Sequence, residues 1–256
     1  MIAIRQSRHG FTLVEVLLAM TLGMMILMLA LFLLGRGRDD SARIGDGLGA
    51  EREARAVLTQ LTADLHSARF HQDGLLEQGH AAWPGDRLGF LSLQAPDAQT
   101  PGGRIGDLCA IHYYLKDLLI DGQTVRCLMR GFRDSKETFT ALRRNQLRAL
   151  FSGTERDEPV AFGILSFEAR PQARDASGHW QPWDGATTKP LAALAVRLVI
   201  ARREIVGKLT DAAAWDGAGA AANLLGEARQ AAANRHLEVY ATLIRFGPSV
   251  STEHGP

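Results

Sequence analysis

Cysteine is scarce: Cys109 and Cys127 are the only two in 256 residues, and they form no CxxC pair. Zinc ribbons and thioredoxin-like redox centres, which need such spacing, therefore have no support. Net charge is nearly absent, with 29 Lys and Arg against 28 Asp and Glu, or +1. The chain as a whole lacks the basic field of a nucleic-acid binder and any strong attraction for acidic substrates. Enzyme signatures are missing as well. There is no GxSxG, HExxH, Walker A, EF-hand loop, or GxGxxG behind a strand, so no catalytic residue, cofactor or metal is expected. The eight histidines are scattered. His66 and His71 are five apart and do not share a helical face, and His236 with Glu238 is too little for a metal site. No internal repeat is visible. The composition, 46% hydrophobic and 22% charged, is that of a folded chain rather than a disordered or collagen-like one.

One feature present in excess is apolar length. Residues 11–34, FTLVEVLLAMTLGMMILMLALFLL, carry a single charge, Glu15. As a helix this run reaches about 36 Å, enough for a bilayer core of about 30 Å. It is apolar on every face and terminal, which argues for a membrane span over a buried core helix. A secretory signal does not fit, because the run is too long and LFLLGRGRDD offers no small-residue cleavage site. Orientation by charge is awkward. Arg5 and Arg8 precede the run while Arg36, Arg38 and Arg43 follow it, so the positive-inside rule alone places the C-terminal side in the cytoplasm. Glu15 is the other difficulty, since a lone carboxylate in a span costs about 2.5–3.5 kcal/mol. No basic side chain between residues 11 and 34 can pair with it.

A short basic leader, then GFTLVE, then about twenty apolar residues: this pattern over 5–34 resembles the N-terminus of type IV pilins and of the pseudopilins of type II secretion. The resemblance implies that a prepilin peptidase cuts between Gly10 and Phe11 and methylates the new amine of Phe11. It implies that Glu15 guides assembly by pairing with the N-terminal amine of a neighbouring subunit. It further implies an inner-membrane anchor with the globular part in the periplasm, then packing of the helix in a filament core with other subunits, delivered by an inner-membrane assembly platform. His9 stands where the family often has Arg, Lys or Gln. The stretch REARAVLTQLTADLHSARF also looks like the PilW-type minor pilins and the J-type pseudopilins. A type IV pilus and a type II secretion pseudopilus remain equally open, and the motif leaves the role of the globular part undetermined.

Beyond the span, GRGRDDSARIGDGLG holds Gly35, Gly37, Gly45, Gly47 and Gly49. Each glycine weakens a helix by up to about 1 kcal/mol, so 35–49 is either a helix able to bend or a plain linker. Ala54, Leu58, Leu61, Leu65 and Ala68 then step by four and three, the mark of an amphipathic helix with one buried stripe. Strand patterns follow at 86–93, 108–115, 123–130, 160–169, 194–201 and 237–246, with a hairpin signal in KDLLIDGQ. FTALRRNQLRALF (139–151) reads as a helix, and the Ala- and Gly-rich segment as an insertion with a short helix near 221–233. The expected organisation is α+β. It runs as a leader (1–10), a transmembrane helix (11–34), a juxtamembrane segment continuing into the amphipathic helix (35–70), an antiparallel β-sheet head (71–248) and a tail (249–256).

Three further features stand out. Arg143, Arg144 and Arg148 could serve a DNA-contacting head, but three arginines in a neutral chain read as a solvated face, so no nucleic acid is expected. A head that contacts a surface or a secreted substrate is the remaining alternative to a purely structural subunit. Trp180 and Trp183 could be contact residues or could pack on their own sheet. For the cysteines, a two-residue Asp121-Gly122 turn pairs Cys127 with Lys116 and leaves Cys109 beyond the ladder. A Cys109–Cys127 disulfide, permitted by the compartment, needs a different register.

Overall fold

The computed structural model describes residues 13–70, 74–79, 85–153, 155–183, 191–216 and 237–246, with backbone alone at 14–16, 19, 29–48, 50, 203 and 204. Two compact units divide the chain, 1–46 and 47–256. The expected leader 1–10, the tail 249–256 and the short helix near 221–233 lie outside the described residues.

Helix α1 spans Leu13–His66, and residues 35–49 have helical backbone. In the second unit its stripe is Ala54, Val57, Leu61 and Leu65, each at most 1% exposed. Val57 takes the inner position that the periodicity assigned to Leu58, which packs half-buried beside it. The helix ends at His66, and Ala68 already belongs to a strand, β1 (Ala68–Arg69).

Among the described residues ten strands form two antiparallel sheets, where the sequence pattern suggested one. The first has the order β1-β3-β4-β5-β6, with β2 (Leu75–Glu77) also on β3 (Arg87–Leu93). Its centre is the hairpin of β4 (Leu108–Ile120) and β5 (Gln123–Arg133). Asp121 and Gly122 close it with φ of 48° and 80°, the two positive angles of a type I′ turn, which suits the right-handed strand twist. The second sheet has the order β10-β9-β7-β8, made of β7 (Ile164–Arg174), β8 (Trp180–Pro182), β9 (Ala193–Ala201) and β10 (Leu237–Arg245).

Gly163 is where one expected strand becomes two. The 160–169 pattern divides into β6 (Glu158–Phe162) in the first sheet and β7 in the second. Gly163 has φ of 70°, a conformation costly for any residue with a Cβ. The chain thus changes sheet at Gly163, and the β7–β9 register shifts just beyond it, between Ile164 and Ser166. The stripe of α1 seals the join. One core contains Ala54, Leu61 and Leu65 together with Phe90, Tyr113 and Leu128 of the first sheet and Phe167, Leu194 and Leu198 of the second.

The expected 139–151 helix is also two pieces, α2 (Ser135–Arg143) and α3 (Leu147–Leu150). Asn145, at φ 53°, sits in the left-handed region that Asn tolerates. The break turns Leu147 and Phe151 onto a satellite core with Leu75, Leu91 and Ala110.

The cross-strand pair His112–Gly131 depends on the glycine. A Cβ at residue 131 would stand 1.9 Å from the His112 ring. The ring covers the glycine and stacks on Tyr114 at 5.5 Å. Gly131→Ala should therefore destabilise the head by about 1–3 kcal/mol, the range for overpacking. A lowered urea midpoint relative to wild type is the expected reading.

Candidate functional site

Gly10 and Phe11 lie outside the described residues. Glu15 lies in the described part of α1, and only its backbone is described. In this first unit Leu17, Leu18, Met20, Leu22 and Met24–Met28 are all more than half exposed. Five consecutive exposed apolar residues, 24 to 28, point in every direction around a helix. Such a surface marks an interaction with another apolar phase or partner. Among the described residues no helix is long and apolar enough to cross a membrane. The described apolar side chains, between Leu13 and Met28 with gaps, are fewer than the roughly 20 a span needs.

In the head, chemistry-bearing side chains collect in three places. The first joins α1 to the hairpin. Arg130 donates to both oxygens of Asp64, at 2.7 and 2.9 Å, and Tyr113 donates to Oδ2 at 2.5 Å. Burial, and then the Asp64 charge, push the Tyr113 hydroxyl well above its usual range, so it stays a donor.

The second is a His–Asp pair. His112 Nε2 lies 2.9 Å from Asp157 Oδ2, Tyr114 donates to the same oxygen at 2.9 Å, and Arg133 pairs with Oδ1 at 2.8 Å. Burial would raise the Asp157 pKa, but the hydrogen bonds from His112, Arg133 and Tyr114 bring it down to about 2. The carboxylate is thus ionised and accepts, so Nε2 carries the proton. The pair resembles half of a catalytic triad, yet both side chains are at most 1% exposed. The other ring nitrogen, Nδ1, has no hydrogen-bond partner, and the ring lies edge-on to Phe151. With no nucleophile attached and no access, the arrangement can clamp the 151–158 segment onto the sheet but cannot run acid–base chemistry.

The third ties the hairpin to residues 212–216. Arg126 bridges Asp117 at 2.7 and 3.0 Å and Asp216 at 2.7 Å. Trp215, fully buried, donates from Nε1 to the Thr124 carbonyl at 2.9 Å.

Both cysteines are free and buried. The disulfide expectation fails on register. Cys127 faces Lys116 as the turn arithmetic required, while the β4–β5 ladder ends at Ala110–Arg133, one residue short of Cys109. Cys109 lies seven positions along β4 from Lys116, about 23 Å at strand rise, far beyond disulfide reach. Burial, and then the Asp134 charge, raise the Cys109 thiol to about 11. Burial, and then the Glu53 charge, raise Cys127 to about 12. Neither is a reactive thiolate near neutral pH.

The basic cluster from sequence disperses. Arg148 is paired with Glu77, and Arg144 lines a groove of about 680 Å³ beside α2, across the helix break from Arg148. That groove is also lined by Lys136, Thr140 and the bidentate Glu137–Arg156 pair. Trp180 lies in strand β8 of the second sheet, beneath two arginines that the sequence did not mark. Arg174 lies 4.6 Å and Arg245 5.6 Å from its ring. Their convergence comes from pairing β8 with β7 and from the approach of Arg245 on β10 across β9 and β7, and no local pattern signals it. Among the described residues there is no group of three or more potential metal ligands.

No described feature of the head is a reactive centre, and the N-terminal segment is where the chain has a recognisable signature. Residues 5–31 match the prokaryotic N-terminal methylation motif. The match supports a place in the type IV pilin and pseudopilin superfamily, and with it processing by a prepilin peptidase and assembly with other pilin subunits. It implies a membrane-anchored pilin later incorporated into a pilus, and a structural subunit rather than an enzyme. No curated protein and no solved structure matches the chain.

The Asp157 clamp makes stability depend on pH in acid. Its folded pKa, about 2, lies below an unfolded value of about 3.9. Its contribution, of about 2 kcal/mol, is therefore complete above pH 4 and lost as pH falls toward 2. Urea midpoints taken across that window should drop for wild type. Asp157→Asn should start lower at neutral pH and lack that part of the slope.

Proposed function

We propose that this chain is a minor pilin-like subunit of the PilW or J type, built into a type IV pilus or a type II secretion pseudopilus. The observation that carries this is the methylation motif at 5–31, with its scissile Gly10–Phe11 bond and Glu15 at the fifth position after it. In this reading the subunit enters the inner membrane once through residues 11–34, with the head in the periplasm. A prepilin peptidase removes 1–10 and methylates Phe11. The anchor helix then leaves lipid for the filament core, where Glu15 meets the methylated amine of a neighbour.

Physical chemistry supports the sequence of steps. Cleavage creates a cation at the end of an apolar helix whose single charge is an anion. A carboxylate is costly in lipid alone, and is offset where it can pair. A neighbour's amine supplies the pairing only when subunits are staggered in register, so the pair selects one stagger among many apolar ones. The exposed apolar side chains of 17–28 suit either environment, lipid or packed helices. A head close to 200 residues in a filament whose main subunits carry smaller ones suits low copy number, at an initiating or terminal position.

Two measurements test this. Mass spectrometry of the protein from cells with an active prepilin peptidase should find a chain beginning at methylated Phe11. A mature chain that still starts at Met1 would remove the basis of the reading. Glu15→Ala should insert in the membrane normally but enter filaments poorly, by about tenfold or more, as judged by the ratio of filament to membrane fractions. Normal incorporation would show that Glu15 is not the pairing group.

A further inference from the structure

The second sheet has one face in the core and one outside. Cross-strand partners share a face and successive residues alternate. Leu194, Val196, Leu198 and Ile244 point inward to α1. Arg245, Ala193, Gln172 and Pro182 are mutual partners across the four strands and therefore point outward, as do Arg174 and Trp180 two residues away. At the β9 end nearer Ala201 this outer face is covered by the Trp215 cluster. At the opposite end no other described element lies over it, and there Arg174 and Arg245 flank Trp180.

These two arginines differ from the others nearby. Arg197 is paired with Glu168 at 3.0 Å, Arg202 with Glu238, and Arg170 lies 3.6 Å from Asp86. Arg174 and Arg245 have no carboxylate partner among the described residues, although both are exposed. Asp175, next in sequence, is engaged in its own turn, accepting from the backbone N–H groups of Ser177 and His179. A guanidinium held against an indole keeps its in-plane N–H fork free and pre-oriented. Such a fork matches the two oxygens of a carboxylate. Two forks held by one ring form a site for a pair of oxyanions, set beside the apolar Pro182 of β8 and Ala193 of β9 on the same face.

We propose that this end of the second sheet, centred on Trp180 with Arg174 and Arg245, is a docking surface for an acidic protein partner. Tryptophan and arginine next to apolar residues are the composition of a protein interface centre. A nucleic acid fits less well: its bases need a free aromatic face for stacking, and here the ring is engaged by guanidinium groups. A second copy of this chain fits less well too, because a two-fold contact would set these arginines against their own counterparts. The proposal does not depend on the filament reading.

The test uses the full chain in detergent, with fluorescence anisotropy of a labelled oligoglutamate peptide and, separately, of an oligothymidylate. The peptide should bind in a salt-sensitive way. Arg174→Gln with Arg245→Gln should weaken it about tenfold or more, with the melting temperature unchanged. Arg143→Gln with Arg144→Gln, a control of equal charge elsewhere, should bind as wild type does. Arg174→Lys with Arg245→Lys keeps the charge and removes the planar fork, and should also bind more weakly; this pair decides the matter if the glutamine variants unfold. Tighter binding of the oligothymidylate, equal losses in the control, full binding by the lysine variant, or no peptide binding would each overturn the proposal.

Discussion

The head depends on one buried carboxylate. Asp64 sits on the inner side of α1 with its side chain 2% exposed. Arg130 grips both its oxygens, Tyr113 caps one of them, and its main-chain carbonyl accepts from Ser92 Oγ at 2.7 Å. Apolar packing of Ala54, Val57, Leu61 and Leu65 would hold a helix to a sheet at several rotations and offsets, because burial is non-directional. A buried ion pair tolerates only one, since a shift by a single residue would leave a charge without its partner, at a cost of about 3–5 kcal/mol. Asp64 thus fixes where α1 lies on β3, β4 and β5. Glu53, two turns or more earlier, repeats the device more gently: it accepts the Phe162 backbone N–H at 2.7 Å, beside the Gly163 join.

The remaining polar clusters have the same character. Asp157 draws His112, Arg133 and Tyr114 together under the segment before β6, and Arg126 ties the hairpin to Asp216. Each joins parts of the chain that are distant in sequence, and each is shielded from solvent at its centre. Their described role is to fasten distant parts of the head together.

Much of the head was legible because strand signals are local. The Asp121-Gly122 turn sets the β4–β5 register, and Cys127 does face Lys116. The helix stripe was legible from its steps of four and three, with the exchange of Val57 for Leu58 reflecting a core that receives the helix from two sheets. What failed did so for tertiary reasons. The 160–169 stretch reads as one strand; Gly163 within it is the one local break, and that it sends the two halves to different sheets is a matter of pairing partners. The 139–151 pattern looks helical throughout, yet Asn145 breaks it so that Leu147 and Phe151 can reach the satellite core. Arg143, Arg144 and Arg148 look like one patch until that break and Glu77 separate them.

The sequence by itself carries the N-terminal methylation motif at 5–31. A motif of that kind is a linear signal, legible without a fold. The sequence also determined most element positions, through periodicity and turn chemistry. Only the tertiary structure decided that there are two sheets, that Asp64 is gripped by Arg130, that the cysteines are too far apart to join, and that Arg174 and Arg245 converge on Trp180. Each of those facts is a distance between residues remote along the chain. Such distances are set by strand order and register, which no single segment encodes.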